Sequence, residues 1–304
     1  MTQRSGTDAA AAGLSGRIFD VSRACVDDGP GLRTVVFMKG CPLECPWCHN
    51  PEGRSFAPEI ALDARRCIGC GECRSACPLA LPASPAWRGR CTACGVCAAA
   101  CPSGARRVVG REVRVADILD EAQGDLAYLA GTGGGVTFSG GEPLAQARFV
   151  LACADALRAG GVHVAVETSG LWPGALVAEI VRRVDLVLLD LKHVDPAKLR
   201  ILARQGADIL LPNLHALLAS GVPIELRLTL VPGFNTEEAD LLAIARRLVS
   251  APRRVPLRLQ PFHRLAASKE ALLGRVAAER DLAPLPPEEF DRCAAVLRRA
   301  GVPC

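Results

Sequence analysis

Short runs of apolar and β-branched residues recur along the chain outside one cysteine-rich region. Runs of this length between turn residues are typical of buried strands. Six of them predict strands: TVVFMKG (34–40), GGVTFSG (134–140), VHVAVET (162–168), VDLVLLDLK (184–192), IELRLTL (224–230) and PLRLQPF (256–262). Longer amphipathic stretches with helical periodicity lie between or after them, at residues 144–160, 174–184, 236–250 and 286–301.

The alternation of strands and helices is typical of parallel strands joined by crossover helices. Six such units are fewer than the eight that close a TIM barrel. We therefore predict an α/β fold in which an open (β/α)6 sheet curls into a partial TIM-like barrel, built from residues 16–57 and 111–304. Residues 1–15 are predicted to be a disordered tail.

Polar residues stand where several of these strands end. In barrels of this kind the active site is built at the carboxyl ends of the strands. The first strand ends at Gly40 beside three cysteines, and the next three end in SGGEP, in Glu167 and Thr168, and in Asp190 and Lys192. In IELRLTL, period-two alternation places Glu225, Arg227 and Thr229 on one face, which we expect to point inward because the outer face packs on helices.

Composition excludes several classes of protein. The 304 residues are half apolar, and the net charge of +4 comes from 36 basic and 32 acidic residues without a basic block, so no nucleic-acid partner is expected. The N-terminal segment lacks the pattern of a signal peptide, and no run reaches about 18 apolar residues, so we expect no membrane span. The 15 cysteines then indicate metal binding or chemistry in a reducing cytoplasm.

Eleven cysteines fall into three sets. Two sets each read C-x2-C-x2-C-x3-C-P, which is the spacing of bacterial ferredoxins that carry two 4Fe-4S clusters. In that pattern the fourth cysteine of each run binds the other run's cluster, so the predicted ligand sets are Cys67, Cys70, Cys73 and Cys101, and Cys91, Cys94, Cys97 and Cys77. Two zinc knuckles are the alternative, which the repeated spacing and proline disfavour. The remaining Cys25, Cys153, Cys293 and Cys304 are expected to be ordinary thiols.

The internal repeat predicts a separate unit. Residues 58–110 hold both runs and a proline-rich link, with too few apolar residues to fold without metal. We predict a ferredoxin-like insert with two 4Fe-4S clusters.

The third set, Cys41, Cys45 and Cys48, offers only three thiolates. A 4Fe-4S cluster held by three protein ligands keeps one iron open to a small molecule, much as a catalytic zinc does. This spacing predicts a site that binds a ligand on iron.

The spacing C-x3-C-x2-C, with Trp47 before the last cysteine, resembles that of the radical S-adenosylmethionine (SAM) enzymes. The motifs DGPGLRTVVFMKGCPLECPWCHNPEG, the double ferredoxin run, GGGVTFSGGEPL, VETSG, DLKH, LVPGFN and PFHRL follow the order seen in activating enzymes of glycyl radical enzymes. This resemblance extends from about Gly16 to His263.

The resemblance implies roles for particular residues. It makes Cys41, Cys45 and Cys48 the ligands of the catalytic cluster. It also makes Trp47 a SAM-binding residue and Gly140, Gly141 and Glu142 the contacts of the SAM amino group. It places Asp190, Lys192 and Arg227 around the SAM carboxylate and sulfonium, His263 near the adenosine, and Glu167 and Thr168 near the ribose and a monovalent cation. A structural role remains the alternative for Glu167, His263 and Glu142.

The implied activity is reductive cleavage of SAM to a 5′-deoxyadenosyl radical, which removes an α-hydrogen from a glycine of a partner glycyl radical enzyme. A flavodoxin or ferredoxin would supply the electron, under anaerobic conditions. The alternatives are a radical SAM enzyme acting on another substrate and a pure electron carrier. Two departures from the family pattern are ARQGADILLPN after DLKHVDP and Ser169 in VETSG.

Overall fold

An eight-stranded sheet forms the centre of the protein in a computed structural model, which describes residues 13–81, 85–203, 205–276 and 281–304. Six strands pair in parallel in chain order. They are β2 (Arg33–Met38), β6 (Gly135–Gly140), β7 (His163–Thr168), β8 (Leu186–Asp190), β9 (Ile224–Leu230) and β10 (Leu257–Pro261), and all six were predicted.

Two further strands extend the sheet beyond β2 and were not predicted. β1 (Ser15–Cys25) pairs antiparallel with β2 and with β5 (Arg111–Arg114), which gives the order β10-β9-β8-β7-β6-β2-β1-β5. Of the predicted tail, residues 1–12 lie outside the described residues, and Ser15 is already the first residue of β1.

Helices connect and cover the parallel strands. The four predicted amphipathic stretches contain α5 (Ala147–Ala159), α6 (Val177–Arg183), α9 (Glu238–Val249) and α11 (Pro287–Arg299). Five others were not predicted: α3 (Val115–Gln123), α4 (Leu126–Thr132), α7 (Pro196–Leu202), α8 (Leu210–Ala219) and α10 (Ala267–Leu272). The apolar faces of most of these helices and the strands enclose one large core, in which Phe138, Val150 and Leu228 are fully buried. Leu199 and Leu202 of α7 pack instead in a second apolar cluster.

A small two-stranded antiparallel sheet lies apart from the main one. Its strands β3 (Glu59–Leu62) and β4 (Arg106–Val109) are separated in sequence by both ferredoxin-type cysteine runs. Each run contains one short helix, α1 (Glu72–Ser75) or α2 (Val96–Ala99). Gly71 and Gly95 precede these helices with φ of 81° and 83°, a conformation that favours glycine, so the two runs share one local structure.

No helix in the described ranges combines the length and the apolar character needed to cross a lipid bilayer.

Candidate active site

A cavity of about 330 Å³ is lined by residues at the carboxyl ends of the parallel strands. Eleven of the residues predicted for the catalytic cluster and SAM line it: Cys41, Cys45, Trp47, Cys48, Gly140, Gly141, Glu167, Thr168, Asp190, Lys192 and Arg227. Among the described residues, the predicted Glu142 and His263 do not belong to this lining. The strand ends therefore bring most of the predicted site together from segments distant in sequence.

The cysteine loop follows β2 and is fixed by backbone hydrogen bonds. The amide of Gly40 donates to the carbonyl of Gly53 over 2.7 Å, and the amide of Glu44 donates to the carbonyl of Leu202 over 2.8 Å. Leu43 and Trp47 are buried against the apolar face that α7 presents. The loop thus holds its three thiols in a mostly apolar wall.

Burial raises the pKa of the Cys41 thiol strongly and that of Cys45 to about 11. These thiols are therefore neutral near pH 7 unless a cation displaces their protons, as iron does when a cluster binds. Three thiols that line one cavity, in a loop whose Leu43 and Trp47 are buried, are a donor set that suits a 4Fe-4S cluster with one open iron.

Asp190 and Lys192 form an ion pair on the cavity wall. Burial alone would lower the pKa of Lys192, but its ion pair with Asp190 holds this pKa above its ordinary value, so the ammonium is kept. The second carboxylate oxygen of Asp190, Oδ1, is buried and has no hydrogen-bond partner. An acceptor left unpaired at a cavity wall suits a ligand that brings a donor or a cation. SAM, whose ammonium and ribose hydroxyls are donors, fits this feature.

Arg227 is 3% exposed and is paired with groups of the protein itself. Its guanidinium contacts Glu225 at 2.8 Å and Glu167 at 3.1 Å, and it donates to the carbonyl of Asp27 over 2.7 Å. Burial opposes its charge, but Glu167 and Glu225 keep its pKa above the ordinary value. Arg227 therefore fastens the loop after β1 to the strand ends.

The buried Glu142 carboxylate lies behind the cavity. It accepts hydrogen bonds from Thr168 Oγ1 at 2.7 Å, from the Ser169 amide at 2.9 Å and from Ser169 Oγ at 2.6 Å. Burial raises its pKa, while these donors oppose the rise. Glu142 therefore ties the GGEP turn to the end of β7, and Ser169, a departure from the family pattern, is one of its partners.

Close packing explains why the GGEP turn has a glycine at position 141. A Cβ on Gly141 would lie 2.4 Å from the carbonyl oxygen of Gly40 and 2.7 Å from that of Gly53. The turn can therefore approach the cysteine loop only because this position has no side chain.

His263 stacks on His49 with 4.2 Å between the ring centroids, and it is His49 that lines the cavity. Burial, with the charges of His263 and Lys192, lowers the pKa of His49 to about 4, so the ring is neutral near pH 7. His49 lies directly after Cys48 in the cysteine motif, but the sequence alone indicated no role for it.

Other cavity residues were also missed. Asp27 and Asp28 lie on the loop after β1, and Ser139 and Gln260 lie on β6 and β10. Ser139 donates a hydrogen bond to Glu167. Two features of the sequence could have indicated these residues. The DGPGLRT motif begins at Asp28, and the alternation along β10 puts Gln260 on the same face as Arg258; in the structure Gln260 lies opposite Thr229 of β9.

The two predicted ligand sets of the cysteine-rich segment differ in how far the structure encloses them. Cys77 of the first run and Cys91, Cys94 and Cys97 of the second line one small cavity together with Ile60 and Leu81. Of the other predicted set, Cys67 and Cys70 are exposed, whereas Cys73 and Cys101 are half-buried. Outside the runs, Cys153 and Cys293 are buried in the main core.

Comparison with known proteins gives consistent similarities. The family model described as the radical SAM superfamily matches residues 35–245. The chain is 39% identical to the benzylsuccinate synthase activating enzyme of Thauera aromatica, over 94% of this chain and 90% of that protein. It is 37% identical to the isethionate sulfite-lyase activating enzyme of Desulfovibrio desulfuricans, over 86% of this chain and 87% of that protein. It is 36% identical to the (2S)-3-sulfopropanediol sulfolyase activating enzyme of Bilophila wadsworthia, over 86% and 89% of the two chains.

Proposed function

The chain belongs to the activating enzymes of glycyl radical enzymes within the radical SAM superfamily, and on this premise we propose how its own residues carry out the activation. The family uses a 4Fe-4S cluster and SAM and acts on a partner glycyl radical enzyme. When bound, these cofactors supply the 5′-deoxyadenosyl radical that removes an α-hydrogen from one glycine of the partner.

One observation carries the assignment of the site to this chain. Cys41, Cys45 and Cys48 share a single cavity with the Asp190–Lys192 pair and the Gly140–Gly141 turn. We assign the cluster to the three cysteines and SAM to the space beside them. The open iron and the SAM ligands would then lie within one enclosure at the strand ends, which limits the access of water.

The SAM contacts follow from charge and from unpaired groups. Lys192 and Arg227 bring positive charge for the carboxylate, and the free Oδ1 of Asp190 can accept a hydrogen bond from SAM. Gly140 and Gly141 offer backbone carbonyls to the ammonium, with Glu142 fixing their turn from behind.

We assign the ribose and a monovalent cation to Glu167 and Thr168. We also assign Trp47 and His263 to the adenosine, and the stacking of His263 on the cavity residue His49 supports the second assignment.

For the architecture we propose a partial (β/α)6 barrel formed by residues 16–57 and 111–304, with a ferredoxin-like insert at 58–110. The insert would hold two more 4Fe-4S clusters, one on Cys67, Cys70, Cys73 and Cys101 and one on Cys77, Cys91, Cys94 and Cys97. The small cavity shared by the latter four cysteines supports this assignment. These clusters would pass electrons from a flavodoxin or ferredoxin in a reducing cytoplasm.

The test is activation of candidate partners under anaerobic conditions. Benzylsuccinate synthase and isethionate sulfite-lyase are reasonable first candidates, because the activating enzymes named for them are 39% and 37% identical to this chain. With SAM and a reductant, the correct partner should gain a glycyl radical EPR doublet. Deuterium placed at the glycine α-carbon should appear in 5′-deoxyadenosine.

Two outcomes would favour the alternatives. Deuterium transfer from a small molecule, with none from any glycyl radical enzyme, would indicate a radical SAM enzyme of another kind. Electron transfer without any cleavage of SAM would indicate an electron carrier.

A further inference from the structure

Arg54 contacts all three cysteines of the candidate cluster loop. Its guanidinium donates to the carbonyl of Cys45 over 2.8 Å, and its own carbonyl accepts from the amide of Cys41 at 3.2 Å. Its guanidinium also makes a hydrogen bond to the Cys48 side chain, and a guanidinium stays protonated at neutral pH. A cation therefore lies against this loop, beside the Cys48 side chain.

Glu270, on α10, anchors Arg54 from the other side. The two side chains form an ion pair of 2.7 Å, and Glu270 is only 2% exposed. Arg275 approaches Glu270 at 3.9 Å and also bonds to Glu59 at the start of β3. Arg54 is therefore held in one position by a network that reaches the base of the cysteine-rich segment.

The network carries more positive than negative charge. Within the described residues it contains four cations and three carboxylates: Lys39, Arg54, Lys269 and Arg275 with Glu52, Glu59 and Glu270. Lys39 is fully buried and Glu52 nearly so, which means that solvent screens these charges poorly. The network can therefore influence the charge of a group bound at the cysteines.

A cluster on three thiolates is negatively charged, and each electron that it accepts adds one further negative charge. Hydrogen bonds to the sulfur atoms and nearby cations favour the reduced form. We propose that Arg54 is a positioning residue that raises the reduction potential of the cluster held by Cys41, Cys45 and Cys48, with Glu270 limiting the effect. This inference rests on the proposed function, because it assigns the cluster to these cysteines.

The experiment is a reductive titration of the anaerobically reconstituted full-length protein, with dithionite as reductant and EPR as readout, at about pH 8, where carboxylates are ionised. The signal that SAM alters identifies the cluster concerned. The variants are Arg54→Gln, Arg54→Lys and Glu270→Gln. Arg158→Gln is a matched control, since Arg158 also pairs with one carboxylate, Asp185, and donates to one backbone carbonyl.

The charge model predicts opposite shifts for the two partners. Arg54→Gln should move the midpoint potential to a more negative value, Glu270→Gln should move it to a more positive value, and Arg54→Lys should stay closer to wild type than glutamine does. Arg158→Gln should leave the potential unchanged. If Arg54→Gln fails to bind its cluster, Arg54→Lys and Glu270→Gln still test the direction in which the midpoint potential moves.

A purely structural role gives a different result. Loosening of the loop would shift the potential in the same direction in Arg54→Gln and Glu270→Gln, or in Arg54→Lys and Glu270→Gln where Arg54→Gln binds no cluster. Either result would overturn the proposal, as would unchanged potentials. A wild-type protein without any cluster signal altered by SAM would instead contradict the proposed function itself.

Discussion

Asp190 lines the cavity and has one buried carboxylate oxygen, Oδ1, without a hydrogen-bond partner. Replacing Asp190 with asparagine keeps the size of the side chain but removes the charge beside the free oxygen. Loss of one charge-assisted hydrogen bond should weaken SAM binding by about 1.5–3 kcal/mol, which is a factor of roughly 10 to 150. Anaerobic calorimetric titration with SAM measures this.

Asp195→Asn is the control for that change. Asp195 lies five residues further on and caps α7 by accepting from the amide of Ala197, a bond that asparagine can also make. SAM affinity equal to wild type in Asp190→Asn would show that the free oxygen does not face the ligand.

The carboxyl group of Asp28, at the cavity, makes the stability of the protein depend on pH. Burial and the neighbouring Glu167 raise the pKa of its carboxyl to about 6, above the value of about 4 in the unfolded chain. The folded state therefore binds more protons between these values, and the free energy of unfolding falls as pH rises from about 4 to about 6.

Asp28→Asn should remove this penalty. Because Asp28 is only half-buried, solvent screening reduces the effect, and we expect a gain in stability of about 1–2 kcal/mol above pH 6 that disappears near pH 4. Thermal unfolding across this range, compared with the exposed neighbour variant Asp27→Asn, measures it. A gain that does not depend on pH would contradict the explanation.

Arg227 illustrates what alternation along one strand can and cannot predict. The period of β9 correctly predicted that its side chain points into the cavity. Its partners could not be predicted, because Glu167 and Asp27 lie 60 and 200 residues away in the sequence. Only the folded sheet brings these groups together, so the network that holds Arg227 at the cavity could not be read from the strand itself.

At the scale of elements, the GGEP turn packs so closely on the cysteine loop that no side chain fits at Gly141. Gly141→Ala would place a Cβ against two carbonyl oxygens. We expect a loss of about 1–3 kcal/mol in stability, as for other overpacked sites, together with reduced iron content. Gly131→Ala, in α4 with no atom near its added Cβ, should instead be neutral or stabilising by up to about 1 kcal/mol. Equal stability and iron content in both variants would show that the loop can move aside.

Elements were predictable where the pattern was strong and local. The six parallel strands stood out as short runs rich in apolar and β-branched residues between turn residues. β1 was missed because it is a half-exposed strand whose pairing is antiparallel, so no crossover helix marks it. Helix α8 was missed because Pro212, within its first turn, resembled a loop signal, although proline is tolerated there.

At the scale of the whole molecule, the cysteine-rich segment is attached through a hairpin. Leu62 of β3 pairs with Arg106 of β4, and Glu59 binds Lys39 at the end of β2 over 3.0 Å. The sequence predicted a unit at 58–110 from its repeat. It could not predict this hairpin, because about forty residues separate strands of only four residues each.

The attachment predicts that the two parts of the protein can be separated. Because Leu62 and Arg106 are directly opposed, residues 63–105 can be replaced by Asn-Gly, the pair that best closes a two-residue hairpin. The shortened protein should keep the Glu59–Lys39 contact, and therefore the cysteine loop, and should bind about four iron atoms instead of the twelve or so expected for three clusters.

Cleavage of SAM by the shortened protein then reports what the removed segment does. With a strong chemical reductant, formation of 5′-deoxyadenosine should persist, because electrons can reach the cluster at Cys41, Cys45 and Cys48 directly. With a flavodoxin or ferredoxin as donor it should fall sharply, because the relay has been removed. Cys45→Ala in the full-length chain is the control that should abolish cleavage with either donor. Unchanged cleavage with the protein donor would show that the segment does not relay electrons. A shortened protein that unfolds, while one that keeps residues 58–110 but carries Cys94→Ala remains folded, would show that the segment supports the barrel mechanically.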